Sequence, residues 1–124
     1  MRVNPDLVIL ELGANDGLRG LDPKVTKNNL AIIIRRIQAK GAVVLLAGMR
    51  APPNLGVDYG AAFDNIFPDL ANIHQLDFYP FFLNGVASKP ELNLADGIHP
   101  NKSGIEVIVE GILPTVKRSL EKIR

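Results

Sequence analysis

An aspartate stands three residues ahead of a histidine, with a glycine between them, in Asp96-Gly97-Ile98-His99-Pro100. A carboxylate at that spacing on a glycine-containing turn can reach the ring's Nδ1–H. It would fix the tautomer, stabilise the imidazolium and leave Nε2 free as a general base. The bland reading of the same residues is a surface loop with a solvated Asp and a His near a helix start. Gly13-Ala14-Asn15-Asp16, directly after an apolar run, is the second such segment. An Asn amide at a strand's C-terminal end can donate to the oxyanion that develops in acyl transfer. Its competing use is an Asx-type turn that ends the strand. Asp16 is expected to brace this loop through backbone amides.

The elements that must position these residues alternate between strand and helix. Residues 6–12 are short, apolar and β-branched, the profile of a strand covered on both faces, and residues 13–21 follow as a loop. Asp22-Pro23 opens a helix, with Asp22 as N-cap and Leu30, Ile33, Ile34 and Ile37 as its buried stripe, closed by Gly41. Residues 42–47 are a second buried strand and 48–57 a loop. Asp58 caps a helix whose apolar face is Phe63, Ile66, Phe67, Leu70 and Ile73; Pro68 inside it predicts a kink or a split. Leu76-Asp77-Phe78 is a third strand, and residues 79–89 are mixed, with a short helix over the site's mouth. The last helix starts near Asn101, buries Ile105, Ile108, Val109, Ile112, Val116 and Leu120, and bends at Pro114. This alternation predicts an α/β fold, a doubly wound parallel sheet whose chemistry lies beyond the C-terminal strand ends.

Composition narrows the function classes. The 124 residues are 47% hydrophobic, with 14 Lys+Arg against 13 Asp+Glu, so the chain is one domain, residues 1–124. A net charge of +1 argues against a nucleic-acid partner. The absence of Cys removes thiolate catalysis, disulfides and thiolate zinc sites. No apolar run approaches the roughly 18 residues of a membrane span. The start lacks the basic-then-apolar pattern of a secretory signal, so a periplasmic or secreted location would need an upstream leader.

Taken together, Gly-x-Asn-Asp after a strand and Asp-x-x-His-Pro before the final helix resemble blocks three and five of the SGNH (GDSL-type) hydrolases. The stretches from Leu12 to Gly20 and from Asp96 to Asn101 look like the bacterial thioesterase/arylesterase/lysophospholipase branch. The resemblance runs from about Pro5 to the C-terminus and implies a flavodoxin-like sheet. It makes Asn15 an oxyanion donor, His99 the general base and acid, and Asp96 its orienting carboxylate. Gly13, Gly17, Leu18 and Ile98, with Arg50, Ala51 and Pro52, match regions that line the acyl pocket. Hydrolysis of small-molecule esters or thioesters through an acyl-enzyme follows, with no cofactor and no metal.

The departure from that pattern is large. No Gly-Asp-Ser occurs, and the glycine block of the oxyanion hole is missing, so the match begins near the family's third strand. Of the three serines, Ser119 lies one helix length from His99, Ser103 is expected to cap the last helix, and Ser88 has no strand-to-helix elbow to present it. About three strands remain, leaving residues 7–12 as an open apolar edge. The chain is therefore expected to form a homodimer or to take a complementing N-terminal segment. The alternative is a non-catalytic binding module that kept the scaffold.

Other signals carry less. Lys24, Lys27, Arg35, Arg36 and Lys40 read as the polar side of an amphipathic helix. His74 near Asp77 falls short of a metal site and reads as an exposed helix-end residue. Phe78, Tyr79, Phe81 and Phe82 read as core and pocket wall, with no interleaved basic residue.

Overall fold

The computed structural model describes residues 3–123. Three parallel strands form one sheet in the order β1 (Leu7–Leu10), β2 (Val43–Ala47), β3 (Asp77–Tyr79). Leu7 pairs with Val43 and Leu10 with Leu46; Leu45 pairs with Asp77 and Ala47 with Tyr79. Each crossover is helical, as a parallel connection requires. Helix α2 (Pro23–Ala39) joins β1 to β2, and α3 (Val57–Asp64) with α4 (Ile66–His74) joins β2 to β3. Helix α5 (Lys102–Glu121) returns after β3. The expected partial doubly wound sheet is the observed architecture.

Helix α2 follows its sequence signals. Asp22 caps it, accepting from the Lys24 amide at 3.0 Å, and Pro23 sits where no intrahelical donor is needed. Leu30, Ile34 and Ile37 are buried against Val44, Leu46, Phe67 and Leu70. Burying one such aliphatic side chain contributes about 2 kcal/mol, so this face outweighs any weak propensity along the helix. Gly41, at φ +85°, turns the chain into β2 in a conformation that side chains resist.

Several expectations are corrected. Residues 14–18, expected as loop, form the short helix α1 (Ala14–Leu18). The cap of α3 is Gly56, with Asp58 in the first turn instead. The helix around Pro68 is split, as expected, but at Asn65, which leaves Pro68 in the first turn of α4 where its missing donor is harmless. Residues 82–88 are successive turns with no helix among them. Pro114 does not break α5; it only removes the donor for the Glu110 carbonyl, which stands on the exposed side.

The two faces of the sheet differ. Val8, Leu10, Val44 and Leu46 point toward α2, α3 and α4 and are closed over. Side chains of opposite parity face α5, which covers β2 and β3 but not β1. Leu45 and Ala47 are buried there, whereas Ile9 is 45% exposed, so β1 is not covered on both faces as its sequence suggests. Ile105, Val109 and Leu120, assigned to the buried stripe of α5, are exposed, and so is Ile73 on α4. The outer edge of β1 has no strand partner among the described residues, in line with the open edge expected.

Candidate active site

The loop before α5 is built to hold one histidine. Asp96 Oδ2 lies 2.7 Å from His99 Nδ1, while Oδ1 accepts the backbone amides of Ile98 at 2.9 Å and His99 at 3.0 Å. Gly97, at φ +71°, makes the tight turn between them. Backbone hydrogen bonds from Leu94 to the His99 carbonyl and from Asn101 to the Leu92 carbonyl tie the loop's two ends. Below it, buried Asn93 donates to the carbonyls of Val86 and Lys89 at 2.9 and 2.8 Å. Asn101 caps α5 by accepting the Gly104 amide at 2.9 Å, so Ser103, expected in that role, is an exposed first-turn residue. A Cβ on Gly104 would collide with the Leu92 carbonyl oxygen, which explains the bare backbone there.

Electrostatics follow from these contacts. The amide and ring N–H of His99, with the amide of Ile98, stabilise the carboxylate form and lower the Asp96 pKa from 3.8 to about 2. Asp96 is thus ionised throughout the neutral range. The donor at Nδ1 that it selects leaves His99 Nε2 as the acceptor, and no protein group among the described residues occupies that nitrogen.

Asn15 comes to the same place from the other side of the sheet's C-terminal edge. Gly13 ends the β1 segment at φ +100° and starts α1, which carries Asn15 in its first turn. Asp16 anchors this helix through its side chain, accepting from the buried Thr26 hydroxyl at 2.8 Å, in place of the backbone amides expected. Its carbonyl takes the Leu21 amide. The Asn15 side-chain amide makes no hydrogen bond among the described residues and is exposed.

A cavity of about 540 Å³ joins the two segments: Gly13, Asn15 and Leu18 line one side, and Ile98 and His99 the other. Gly17, Arg50, Ala51 and Pro52 do not line it. Gly17 is buried under the Phe63 ring, and the Arg50 guanidinium lies 4.4 Å above the ring of Phe81. The Ala51 amide donates to Asp64 at 2.8 Å, which ties this segment to α3. Phe82 is a wall, in agreement with its sequence reading. None of Ser88, Ser103 and Ser119 lines the cavity; Ser119 is fully buried and donates to Asp77 at 2.7 Å.

Sequence reasoning missed Glu11, Asn29 and Met49, which also line the cavity. Burial pushes the Glu11 carboxyl above the usual carboxylate range. Glu11 directly follows the last residue of β1, at the C-terminal strand end where chemistry is expected, a signal that was available. Asn29 and Met49 are set by how α2 and the β2 end pack, which no local pattern encodes. His74 is half-buried at the end of α4 rather than exposed, and no group of three or more His, Asp or Glu among the described residues could hold a metal ion.

Known proteins resemble the chain over most of its length. The GDSL-like Lipase/Acylhydrolase family matches residues 1–107. The chain is 44% identical over 116 residues to an arylesterase of Vibrio mimicus, covering 94% of this chain and 58% of that protein. It is 42% identical over 113 residues to Esterase TesA of Pseudomonas aeruginosa, covering 91% and 56%. Among solved structures, that of TesA superimposes with a TM-score of 0.90 at 40% identity, covering 95% of this chain and 66% of that one. The esterase EstA from Pseudoalteromonas sp., in a form inhibited by monoethylphosphonate, gives a TM-score of 0.90 at 32% identity, covering 97% and 66%. The chain spans little more than half the length of these curated relatives, and by its sequence and its fold it belongs to the GDSL-like lipase/acylhydrolase family of hydrolases.

Proposed function

We propose that residues 1–124 form one incomplete domain that carries the base and oxyanion side of a serine acyl-hydrolase site, acting on carboxylic esters or thioesters. The observation that supports it is His99, held at Nδ1 by Asp96 and open at Nε2, lining one cavity with the unpaired amide of Asn15. The nucleophilic serine is supplied from outside this chain, because none of its own three serines lines that cavity.

In the complete site the serine oxygen attacks the carbonyl carbon and its proton passes to His99 Nε2. The negative oxygen takes a hydrogen bond from the Asn15 amide. Collapse breaks the bond to the leaving alcohol or thiol, which receives the proton from Nε2. Water then repeats the sequence, releasing the carboxylic acid and restoring the serine. Asp96 orients the imidazole and stabilises its charged form without taking the proton. Gly13, Leu18 and Ile98 wall the acyl side; Arg50, Ala51 and Pro52 are outside the cavity and are given no part.

A complementing N-terminal segment is the partner favoured over a second copy. Antiparallel self-pairing centred on β1 would set Asp6 opposite Glu11 of the other copy, twice, and like charges directly opposite are destabilising. A second reading, a non-catalytic homodimeric module, rests on the absence of a serine in the cavity.

Co-production of this chain with the part of the P. aeruginosa Esterase TesA that it does not match tests the proposal. The complex is expected to hydrolyse p-nitrophenyl and acyl-thioester substrates. His99→Ala should abolish turnover, and Asn15→Ala should lower kcat by about 10²–10³-fold. A fluorophosphonate probe should label the added segment only. A stoichiometric adduct on this chain would overturn the source of the serine, and equal turnover of the His99→Ala complex would overturn the whole reading. A stable homodimer that neither hydrolyses nor labels would favour the module.

A further inference from the structure

On the outer side of α2, away from the cavity, an open groove of about 660 Å³ runs between α2 and α4. Its rim carries Lys24, Lys27 and Arg35 from α2 and His74 from α4, while Val25 and Ile73 stand in it as apolar side chains. Helix α2 holds four cations, Lys24, Lys27, Arg35 and Arg36, and no acid over its 17 residues. Two carboxylates approach the groove's surroundings. Asp69 of α4 is paired with Lys27 at 3.4 Å, and Asp22 is engaged as the cap of α2. Lys24 and Arg35 have no ion pair among the described residues, so the rim keeps a net positive charge.

The apolar part is unusual for a solvated helix face. Val25 is 53% exposed and Ile73 is 62% exposed, although Ile73 falls on the apolar face of α4 by its spacing. Leu18 and Leu21, in the segment that leads into α2, are also exposed. Leu18 lines the cavity, and Asn29 lines both concavities, so α2 is a single wall with the cavity on one side and the basic groove on the other.

We propose that this groove and the Leu18–Val25 shoulder form a docking surface for an anionic lipid bilayer. Cations placed beside exposed aliphatic side chains match an interface where anionic headgroups lie above hydrocarbon, and a surface-bound helix face of this kind seats its apolar side chains a few ångströms deep. A nucleic acid would find no Phe, Tyr or Trp in the groove on which to stack a base. Seated in this way, the shoulder would bring the cavity mouth to the surface on which amphiphilic esters are held.

The test uses the chain with vesicles and reads binding alone, so its failure is independent of the hydrolase reading. Vesicle flotation, which leaves self-associated protein in the bottom fraction, is measured with phosphatidylcholine vesicles and with vesicles containing 30% phosphatidylglycerol, at about 0.1 M salt where surface charge is partly screened. Each cation at an anionic surface contributes about a factor of five, so the two unpaired ones predict roughly 25-fold tighter binding to the anionic vesicles. The Lys24→Gln/Arg35→Gln variant should fall to the zwitterionic level, and Val25→Ser/Ile73→Ser should weaken binding on the anionic vesicles severalfold. All four residues are surface-facing or partly so, and circular dichroism checks that the variants keep their helices. Equal binding to both vesicles overturns the proposal. So does binding that survives Lys24→Gln/Arg35→Gln but vanishes in Ile105→Gln/Val109→Gln, which would place it on α5. Saturable binding of inorganic phosphate without any vesicle association would assign the groove to a soluble anion and also overturn it.

Discussion

Asp96 holds His99 at two points with one carboxylate: Oδ2 meets the ring at Nδ1, 2.7 Å away, and Oδ1 meets the backbone amide at 3.0 Å. Ring and main chain are therefore fixed relative to each other by a single ionised group. Because the folded pKa of Asp96 is about 2, below its ordinary 3.8, the stabilisation is present in full above the ordinary value. It is lost as the pH falls from there through about 2. An NMR titration of the Asp96 carboxyl carbon should show the large shift of carboxyl protonation near pH 2. Carboxyl protonation at or above pH 4 would mean the carboxylate is not held as described.

Asp96→Asn separates the two contacts. The side-chain oxygen of Asn can still accept the two backbone amides, so the turn should persist. Its NH₂ would face Nδ1, where it must donate, and the proton of the imidazole would move to Nε2. The base would then point a proton at the serine it should deprotonate. In the complemented enzyme kcat is expected to fall by about 10⁴ with little change in KM, the size of effect seen when a triad carboxylate is made an amide. A loss of under tenfold would remove Asp96 from the mechanism.

Thr26→Val tests how Asn15 is held. Valine keeps the volume of Thr26, which is 1% exposed, but removes the hydroxyl that Asp16 accepts from at 2.8 Å. A half-buried carboxylate left without its donor costs about 1–3 kcal/mol. The cost should fall on α1 first, because Asp16 is its tether to α2. Urea unfolding is expected to shift to lower midpoint, and amide exchange in residues 17–21 should quicken more than in α2. Uniform exchange across both helices would mean the bond is not the anchor of α1.

The parts legible in the sequence were those fixed by local physics. The Asp22 cap, the Leu30–Ile34–Ile37 stripe and the break ahead of Pro68 each depend on neighbours within one turn. The Asp96 and His99 pair was readable for the same reason. Helix α1 was not, because Gly13, Gly17 and Gly20 argue locally for a loop. Tertiary contacts decide it, with Gly17 packed under Phe63 and Asp16 bonded to Thr26. Likewise the spacing of Ile105 and Val109 correctly marks an apolar face, but spacing cannot tell whether anything in this chain covers it.

Ser119 and Asp77 form a clip between α5 and β3, at the end of the sheet away from the cavity. Burial raises the Asp77 pKa, but hydrogen bonds from Lys122 and Ser119, with the charges of Lys122 and Arg118, outweigh it and hold the group below its ordinary value. Ser119→Ala should destabilise the fold by about 1–2 kcal/mol, since a half-buried acceptor loses one of its two donors. Lys122→Met should cost less, because that ammonium is largely exposed. As with Asp96, the lowered pKa means the clip weakens as the pH falls through the acid range, so the gap between Ser119→Ala and parent should narrow there. A gap that stays constant from pH 7 to pH 2 would assign the loss to packing instead.

Ile105, Val109 and Leu113 lie at i, i+4 and i+8 on α5, all exposed, and Ile9 and Leu12 are exposed beside the unpaired edge of β1. A stripe of that spacing is a helix face made for burial, and leaving three such side chains half in water forgoes about 1 kcal/mol each. The chain alone is therefore expected to self-associate at micromolar concentration, without the single defined dimer that β1 pairing would give, since Asp6 and Glu11 oppose it. Replacing Ile105, Val109 and Leu113 by Gln should sharply reduce the scattering mass while leaving the core of α2, α3 and α4 folded, because none of the three belongs to it. The complementing segment should do the same for the parent chain by covering the face. Light scattering that finds the parent dispersed as a monomer at those concentrations would mean the exposed face is tolerated as it stands, and that no partner is needed to complete the fold.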